Sequence, residues 1–344
     1  MSDIFYREDN EEPKLKGARR PVGETDKLKQ PETPPAGYIK VKLSSIGKLS
    51  VPRTLHVRDY SGENAWNLSL ANSDTILDTV LTCLNDMIYE DIDPRELHEN
   101  EIEEILFNVL LNFWTPILSE YPYPYEESEL DSLPEDQQNA IREGTFKPTV
   151  DIDITKLKTK PLPKEFNEPI IWEDDSIKVG FILPRVGHYG VASEYIEQKY
   201  AEETEKFSQI EDDIEYNRRL SPGSKTSERE ISNVYMKEYK EFLLKKNSDY
   251  LKAKHSMMLQ SIDGKPLTDI ESRIEAYSKV GLSIWSDVSE LMENELDFGI
   301  VKDIEVVSPL TQETVVRRYQ FRFRDVIPNP KHKKHRKSHI RFGD

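Results

Sequence analysis

The chain has 344 residues, of which 36% are hydrophobic and 32% charged, and its formal net charge is −17 at pH 7. This length allows two domains or one large domain with tails, and so polar a composition predicts a folded core with additional solvated or partner-ordered segments. The single cysteine, Cys83, excludes a disulfide framework and a cysteine-based zinc site, and it fits a reducing compartment.

Residues 1–37 are polar and rich in proline, which predicts an extended arm. The first residues lack the basic and apolar regions of a signal peptide, and no apolar run reaches the length of a membrane span, so we expect neither. The first ordered elements are two strands, because apolar and polar residues alternate in residues 38–43 and again in residues 53–60.

Two amphipathic helices are predicted next. The first lies within residues 73–90, and its apolar residues share one face. The second begins at Asp93, with Pro94 in its first turn and Glu96 at capping-box spacing, and it ends before Pro116. The apolar stripe of the second helix consists of Ile102, Ile105, Leu106, Val109, Leu110 and Phe113.

The middle of the chain is predicted to contain a loop over residues 121–136 and three strands over residues 149–154, 168–172 and 176–183. A mostly helical region follows from about residue 190 to residue 297. Its last helix begins with Thr268 and Glu271 at capping-box spacing and stops at the Phe298-Gly299 pair. Its apolar residues form a heptad-like seam across Gly281, which favours packing within the domain and leaves a coiled coil as the alternative.

The segment 297–325 is predicted to be a hairpin whose turn is Ser308-Pro309-Leu310-Thr311-Gln312. Because alternate residues of a strand point to opposite faces, the aromatic residues of the second strand should pack on the helical domain, and its basic residues should meet an acidic surface. The turn contains no cysteine, so we expect Pro309 and strand pairing to hold it. The aromatic set is Tyr319, Phe321 and Phe323, and the polar set is Arg318, Gln320, Arg322 and Arg324.

Charge is concentrated in two places. Residues 86–135 hold fifteen acidic residues and one basic residue, Arg95, which predicts a solvated face or, as the alternative, a docking surface for a basic partner. Residues 331–341, KHKKHRKSHIR, favour protein docking or a solvated tail over nucleic-acid binding, since no aromatic residue is interleaved. The partner-docking hypothesis names Arg318, Arg322, Arg324, Lys331, Lys333, Lys334, Arg336, Lys337, Glu101, Glu103 and Glu104.

Sequence motifs for catalysis or cofactor binding are missing, including G-x-S-x-G, the Walker loop, G-x-G-x-x-G and the calcium loop. Cys83 lies between apolar neighbours and is predicted to be buried. His56, His98 and His188 have no metal-ligand spacing, so we expect structural roles for them. We therefore expect no catalytic residue, no metal and no cofactor, while a hydrolase using some of the many carboxylates stays an alternative without a defined site.

The predicted fold class is α+β. We expect an extended arm (1–37), a strand plus two-helix unit (38–135), a β-strand segment (136–190), a helical unit (191–298), a β-hairpin (299–330) and a basic tail (331–344).

The order of these parts resembles a known family. LSSIGKLSVPRTLHVRDYSGENAW is followed by the helix end ILFNVLLNFW, then by the strands closing at FILPRVGH, a helical region, and DFGIVKDIEVVSPLTQETVVRRYQFRF. This order is similar to that of the baseplate hub assembly proteins of contractile-tailed bacteriophages, and it covers roughly residues 38–330. The family often has Cys-Pro-x-Cys where this chain has Ser308-Pro309-Leu310-Thr311, so a metal at the hairpin is not carried over.

The resemblance implies a structural or assembly protein of a phage tail baseplate, in the hub or wedge region, that binds other subunits without catalysis. It implies a virion location, with the host cytoplasm during assembly. The expected partners are other baseplate or tail subunits and copies of the same chain, not a membrane. A resident subunit and a departing assembly chaperone both remain open, and the alternative function is nucleic-acid association through the basic tail.

Overall fold

The first predicted strands and the first predicted helix are confirmed. In the computed structural model, which describes residues 33–72, 75–220 and 227–321, strand β1 (Ile39–Lys42) pairs antiparallel with β2 (Thr54–Val57). Helix α1 (Gly62–Leu70) was not among the predicted helices, and it begins where the Ser61 hydroxyl accepts a hydrogen bond from the Asn64 amide. The first predicted helix is the next one, α2 (Ile76–Met87), and it buries its apolar face, consisting of Val80, Leu81, Leu84 and Met87.

The second predicted helix starts later than its sequence indicated. Asp93 and Pro94 begin only a 3₁₀ turn (Pro94–Glu96), and α3 (Glu99–Phe113) is capped by His98. The His98 amide donates to Glu101, so the capping box lies five residues beyond the predicted one. The predicted stripe is buried from Ile102 to Leu110, and Phe113 is partly buried.

The segment predicted as a loop over residues 121–136 contains regular structure, so that prediction is wrong. Strand β3 (Ile117–Pro122) ends in it, and α4 (Glu127–Asp131) and the first residues of α5 (Glu135–Arg142) lie in it. Two apolar residues, Tyr123 and Leu130, are buried and hold the short helix, but two residues are too few to give a readable period. Strand β4 (Thr149–Asp153) pairs antiparallel with β3.

The other strands form small antiparallel sheets. β6 (Ile170–Glu173) and β7 (Lys178–Phe181) were predicted. They form a four-stranded sheet with β8 (Leu259–Ile262) and β9 (Lys265–Pro266), which come from the region predicted to be helical. A separate pair joins β5 (Thr159–Lys160) to β10 (Gly299–Ile300). The mixture of helices with small antiparallel sheets confirms the α+β class.

Five helices follow β7, interrupted by β8 and β9. They are α6 (Val186–Lys199), α7 (Ala201–Leu220), α8 (Ser227–Ser256), α9 (Ile270–Lys279) and α10 (Leu282–Asn294). The predicted break over residues 184–190 is therefore mostly the first turns of α6. None of the helices in the described residues is long and apolar enough to cross a membrane.

The predicted seam across Gly281 is not one helix. Gly281 has an extended backbone, with φ −66° and ψ 155°, and it caps α10 after α9 has ended. Asp269 caps α9, so the predicted start at Thr268 is displaced by one residue. Of the predicted seam residues, Tyr277, Ile284 and Val288 pack with the β7–β8 sheet, whereas Ile270 and Ile274 pack with α6 and α8. The segment therefore packs within the domain and is not one continuous coiled-coil helix.

The terminal hairpin consists of β11 (Asp303–Val307) and β12 (Thr314–Arg318). Tyr319 and Phe321 are buried as predicted, but they pack on Phe107 of α3 and Tyr121 of β3 and not on the later helices. The hairpin therefore belongs to the largest core cluster, which also contains residues of β1, β2, α2, α3 and β4.

Candidate protein-docking surface

The turn of the terminal hairpin is held by a buried hydroxyl. Ser308 is fully buried, and its Oγ donates a hydrogen bond to Glu129 Oε1 over 2.7 Å. Ser308 Oγ also accepts hydrogen bonds from the amides of Leu310 and Thr311, at 3.2 and 3.3 Å. The turn thus has a side-chain anchor in addition to the strand pairing that we expected.

The carboxylate of Glu129 on α4 collects four donors around the hairpin. Its Oε1 accepts from Ser308 and from the Tyr123 hydroxyl at 2.6 Å, and its Oε2 accepts from the Glu126 amide at 3.0 Å and from Arg317 Nη2 at 2.5 Å. Burial alone would raise the pKa of Glu129, but the hydrogen bonds from Arg317, Tyr123, Glu126 and Ser308 outweigh it and lower the pKa to about 2. Glu129 is therefore ionised at any physiological pH.

The two arginines at the end of β12 have different roles. Arg317 Nη1 also lies 3.2 Å from Glu126 Oε1, and the hydrogen bond with Glu129 raises the pKa of Arg317. Arg317 is thus committed to the fold. Arg318 is exposed, as is Gln320, in agreement with the predicted alternation.

Open clefts lie beside the hairpin. One, of about 550 Å³, is lined by residues 156–158 and both hairpin strands, and an adjoining one, of about 570 Å³, lies between residues 149–153 and 304–307. We call these clefts together the hairpin groove. Its charged lining residues are Asp151, Asp153, Asp303, Glu305, Lys156 and Lys158, so acidic groups exceed basic ones.

Two strands, β4 and β11, line the hairpin groove. β4 and β11 belong to different two-stranded sheets, so within the described residues each has one edge without a strand partner. An unpaired edge exposes a row of backbone N–H and C=O groups that an added strand can bond. Val307 and Val316, which also line the groove, leave about half of their surface exposed. The groove therefore offers backbone hydrogen bonds and apolar contact to an extended peptide.

Three of the four glutamates of α3 are buried and do not form a docking surface. Glu101, Glu104 and Glu103 are 0%, 2% and 4% exposed, so their predicted roles as partner-docking residues and as members of a solvated acidic face are wrong. The apolar period of α3 defined one buried stripe, but the turn at Ser44 and the residue Lys302 cover a second face of the helix. The partners in these two contacts are 60 and 199 residues apart along the chain, so the contacts leave no local sequence signal.

Glu104 ties the turn between β1 and β2 to α3. Its carboxylate accepts from the Ser44 amide at 2.8 Å and also from the Ser44 hydroxyl. Burial, partly offset by these hydrogen bonds, raises the pKa of Glu104 to about 7, and the neighbouring Glu101 and Glu103 carboxylates add to the rise. Burial also raises the pKa of Glu103, although Lys302 Nζ lies 3.4 Å from its Oε1 and opposes that rise.

His56, His98 and His188 make structural contacts in the fold. His98 Nδ1 accepts from the Asn100 amide, and burial with the nearby charges of Arg185 and Lys302 lowers the His98 pKa to about 3. His188 lies in the first turn of α6, and its Nδ1 accepts a hydrogen bond from the amide of the N-cap residue Arg185 over 3.1 Å. His56 pairs with Glu90 over 2.7 Å. In the part of the chain that the structure describes, no group of three or more His, Cys, Asp or Glu side chains is placed to hold a metal ion.

Cys83 is buried, as predicted, and burial raises its pKa to about 11, which keeps it a thiol. Several other predicted docking residues lie outside the described residues. These are Arg322, Arg324, Lys331, Lys333, Lys334, Arg336 and Lys337, together with Phe323 of the aromatic set.

Comparison with known proteins leaves the family of this chain open. No protein-family model matches it, and neither does any curated protein or solved structure. The baseplate resemblance therefore rests on the quoted segments and their order.

Proposed function

We propose that this chain is a structural or assembly protein of the tail baseplate of a contractile-tailed bacteriophage, acting by binding other subunits without chemistry of its own. The order of the sequence segments from residue 38 to residue 330 supports the baseplate assignment. The hairpin groove supports a binding role, and it is the observation that carries the proposal.

The hairpin is suited to presenting a fixed surface. The Glu129 carboxylate bonds both the turn, through Ser308, and the second strand, through Arg317. Such a network limits the motion of β11 and β12, so the groove beside them is formed before a partner arrives. A preformed groove loses less conformational entropy on binding than one that must first be ordered.

The partner proposed for the groove is an extended segment of a neighbouring baseplate subunit. Two strand edges provide backbone hydrogen bonds to such a segment, while Val307 and Val316 provide apolar contact. The excess of acidic over basic lining residues favours a segment that carries lysine or arginine. Arg318 lies on the exposed side of the hairpin and is available for a second, acidic contact.

Mass spectrometry of purified phage particles and of assembly intermediates tests the baseplate assignment. Several copies per particle would identify a resident subunit, and presence in intermediates alone would identify an assembly chaperone that departs. Absence from both would overturn the proposal.

A pair of charge substitutions tests the groove separately. Val307→Asp places a carboxylate among the acidic groups of the groove, whereas Ile171→Asp changes an equally exposed residue on β6, outside the groove. We expect incorporation of the V307D chain into baseplates to fall at least tenfold and incorporation of the I171D chain to stay near that of the wild type. Equal incorporation of both variants would exclude the groove as the docking site.

A further inference from the structure

Helix α8 has an apolar face whose side chains are exposed in the described part of the chain. Four residues share this face, which we call the α8 stripe, and with 3.6 residues per turn their side chains span an arc of about 100°. The exposed fractions are 57%, 37%, 62% and 51% for Met236, Leu243, Leu244 and Leu251. Exposed apolar side chains are unremarkable singly, but four on one face of one helix form an apolar stripe.

A different face of α8 packs inside the protein. Phe207 of α7 contacts Tyr239 and Phe242, and Ala253 is fully buried in the cluster with α6. The α8 stripe is therefore a second apolar face and is not the core-facing side of the helix. Past Leu251 the surface is occupied by α6, because Lys254 Nζ lies 4.4 Å from the centre of the Tyr189 ring.

The spacing of the α8 stripe is symmetric. Leu243 and Leu244 lie at its centre, and Met236 and Leu251 each lie seven residues farther out. The stripe therefore presents the same pattern when read in either direction along the helix. A contact between identical subunits related by a twofold axis requires such self-complementarity.

We propose that the α8 stripe is a homodimer contact in which α8 pairs antiparallel with α8 of a second copy. At each end of the pair, Met236 of one copy then lies against Leu251 of the other. At the centre, Leu243 of each copy lies against Leu244 of the other. The contact covers residues 236–251, which is about 24 Å of helix. This inference does not depend on the baseplate assignment.

The polar residues of the stripe favour the antiparallel orientation. Lys240 and Asn247 lie between the apolar residues, each about one helical turn from the centre. In an antiparallel pair, Lys240 faces Asn247 of the second copy. In a parallel pair, Lys240 faces another Lys240, and this like-charge contact is unfavourable. The occupant that fits both the apolar and the charged pattern is thus a second copy in reverse direction.

The expected dimer is concentration-dependent. Two helices in contact over about four turns bury an area at the low end of specific interfaces, below about 1,200 Å². Dimerisation should therefore be visible at high protein concentration and lost on dilution.

Sedimentation velocity of the purified full chain over a concentration series tests the contact. Leu244→Glu places a charge at the centre of the stripe, and Leu282→Glu is the control, since Leu282 is 86% exposed and lies on α10. We expect the wild type and L282E to dimerise alike and L244E to raise the dissociation constant at least tenfold, with all three showing the same circular dichroism. A wild type that stays monomeric at every concentration, or a dimer equally retained in L244E, would overturn the proposal.

Disulfide trapping tests the orientation, because the one native cysteine is buried. In the antiparallel pair, two copies of Lys240 are seven residues apart along the axis, about 10 Å, which is too far for a disulfide. A mixture of K240C and N247C chains should therefore form a crosslinked dimer under mild oxidation, and K240C alone should not. Crosslinking of K240C alone would contradict the antiparallel arrangement.

Discussion

The guanidinium of Arg317 lies 2.5 Å from the carboxylate of Glu129, and both side chains are largely withdrawn from solvent. The two residues are 188 positions apart, so this ion pair joins the terminal hairpin to the short helix α4 near the middle of the chain. The same carboxylate holds the turn through Ser308. A hydroxyl of the hairpin turn and an arginine of its second strand thus converge on one glutamate.

Replacing Glu129 by glutamine should destabilise the fold strongly. The Gln side chain keeps the size of Glu but removes the charge, and this leaves the Arg317 guanidinium half-compensated by the exposed Glu126. Removing one partner of a buried pair costs about 3 kcal/mol. Glu127→Gln, on the same helix and exposed, is the control and should change stability by less than about 0.5 kcal/mol. Urea unfolding measures both, and equal midpoints would show that the Glu129–Arg317 pair does not stabilise the hairpin.

Replacing Ser308 by alanine should loosen the turn. The change removes one donor to Glu129 and the acceptor of two amides, those of Leu310 and Thr311. A buried polar group left without its partner costs about 1–3 kcal/mol. Hydrogen exchange should therefore speed up at the turn amides in S308A. Thr314→Ala, at an exposed position of β12, should leave these amides as protected as in the wild type, and the same acceleration in both variants would refute the anchoring role of Ser308.

The sequence predicted what depends on local period and missed what depends on distant partners. The strand of Val41, the stripe from Ile102 to Leu110, and the burial of Tyr319 and Phe321 all follow from alternation or helical spacing. Glu129 belonged to a predicted loop, because its partners are fixed only when the chain folds. The glutamates of α3 were placed on the surface for the same reason, since burial of a carboxylate is decided by the groups that cover it.

Strands β8 and β9 illustrate a second limit of the sequence pattern. They are only four and two residues long and lie between two helices, so they give too few residues for a strand pattern of their own. What makes them strands is the edge of β7, with which β8 pairs at Val179–Ile262 and Phe181–Leu259. The sequence signal for these strands is the Asp263-Gly264 pair in the connecting turn, because Asp-Gly is typical of hairpins. Both residues have the positive φ that such a turn requires.

The buried Glu104 should make stability depend on pH. Its pKa is raised from 4.5 to about 7 in the folded protein, so between these values the folded state holds a proton that the unfolded state has released. The contribution is therefore fully present below pH 4.5 and is lost as pH rises through 7, with a maximal slope of about 1.4 kcal/mol per pH unit. Glu104→Gln removes this dependence, and Gln can still accept the bond from Ser44.

The measurement is the difference in free energy of unfolding between wild type and E104Q at pH 5 and at pH 8. The histidines act in the opposite direction, because His98 and His188 have folded pKa values of about 3 and 4, and their contribution is lost as pH falls below 6.5. Their effect is common to both proteins and cancels in the difference. E104Q should gain stability relative to wild type on going from pH 5 to pH 8, while Glu96→Gln, at an exposed position, should not. A constant difference for E104Q would show that Glu104 titrates normally.

Gly299 should tolerate no side chain, because two constraints meet at this residue. Its φ is +96°, and a Cβ at this position would lie 2.9 Å from the Cβ of Asn100, whose amide donates to the Phe298 carbonyl over 2.7 Å. Gly299→Ala thus adds backbone strain and displaces the contact that docks β10 on α3, so we expect a loss of about 2 kcal/mol or more. Gly190→Ala is the matched control, since Gly190 lies in α6 with open space around it, and alanine there should stabilise by up to about 1 kcal/mol. Thermal unfolding should therefore move in opposite directions for the two variants, and a G299A protein as stable as the wild type would mean that α3 and β10 can separate without cost to the core.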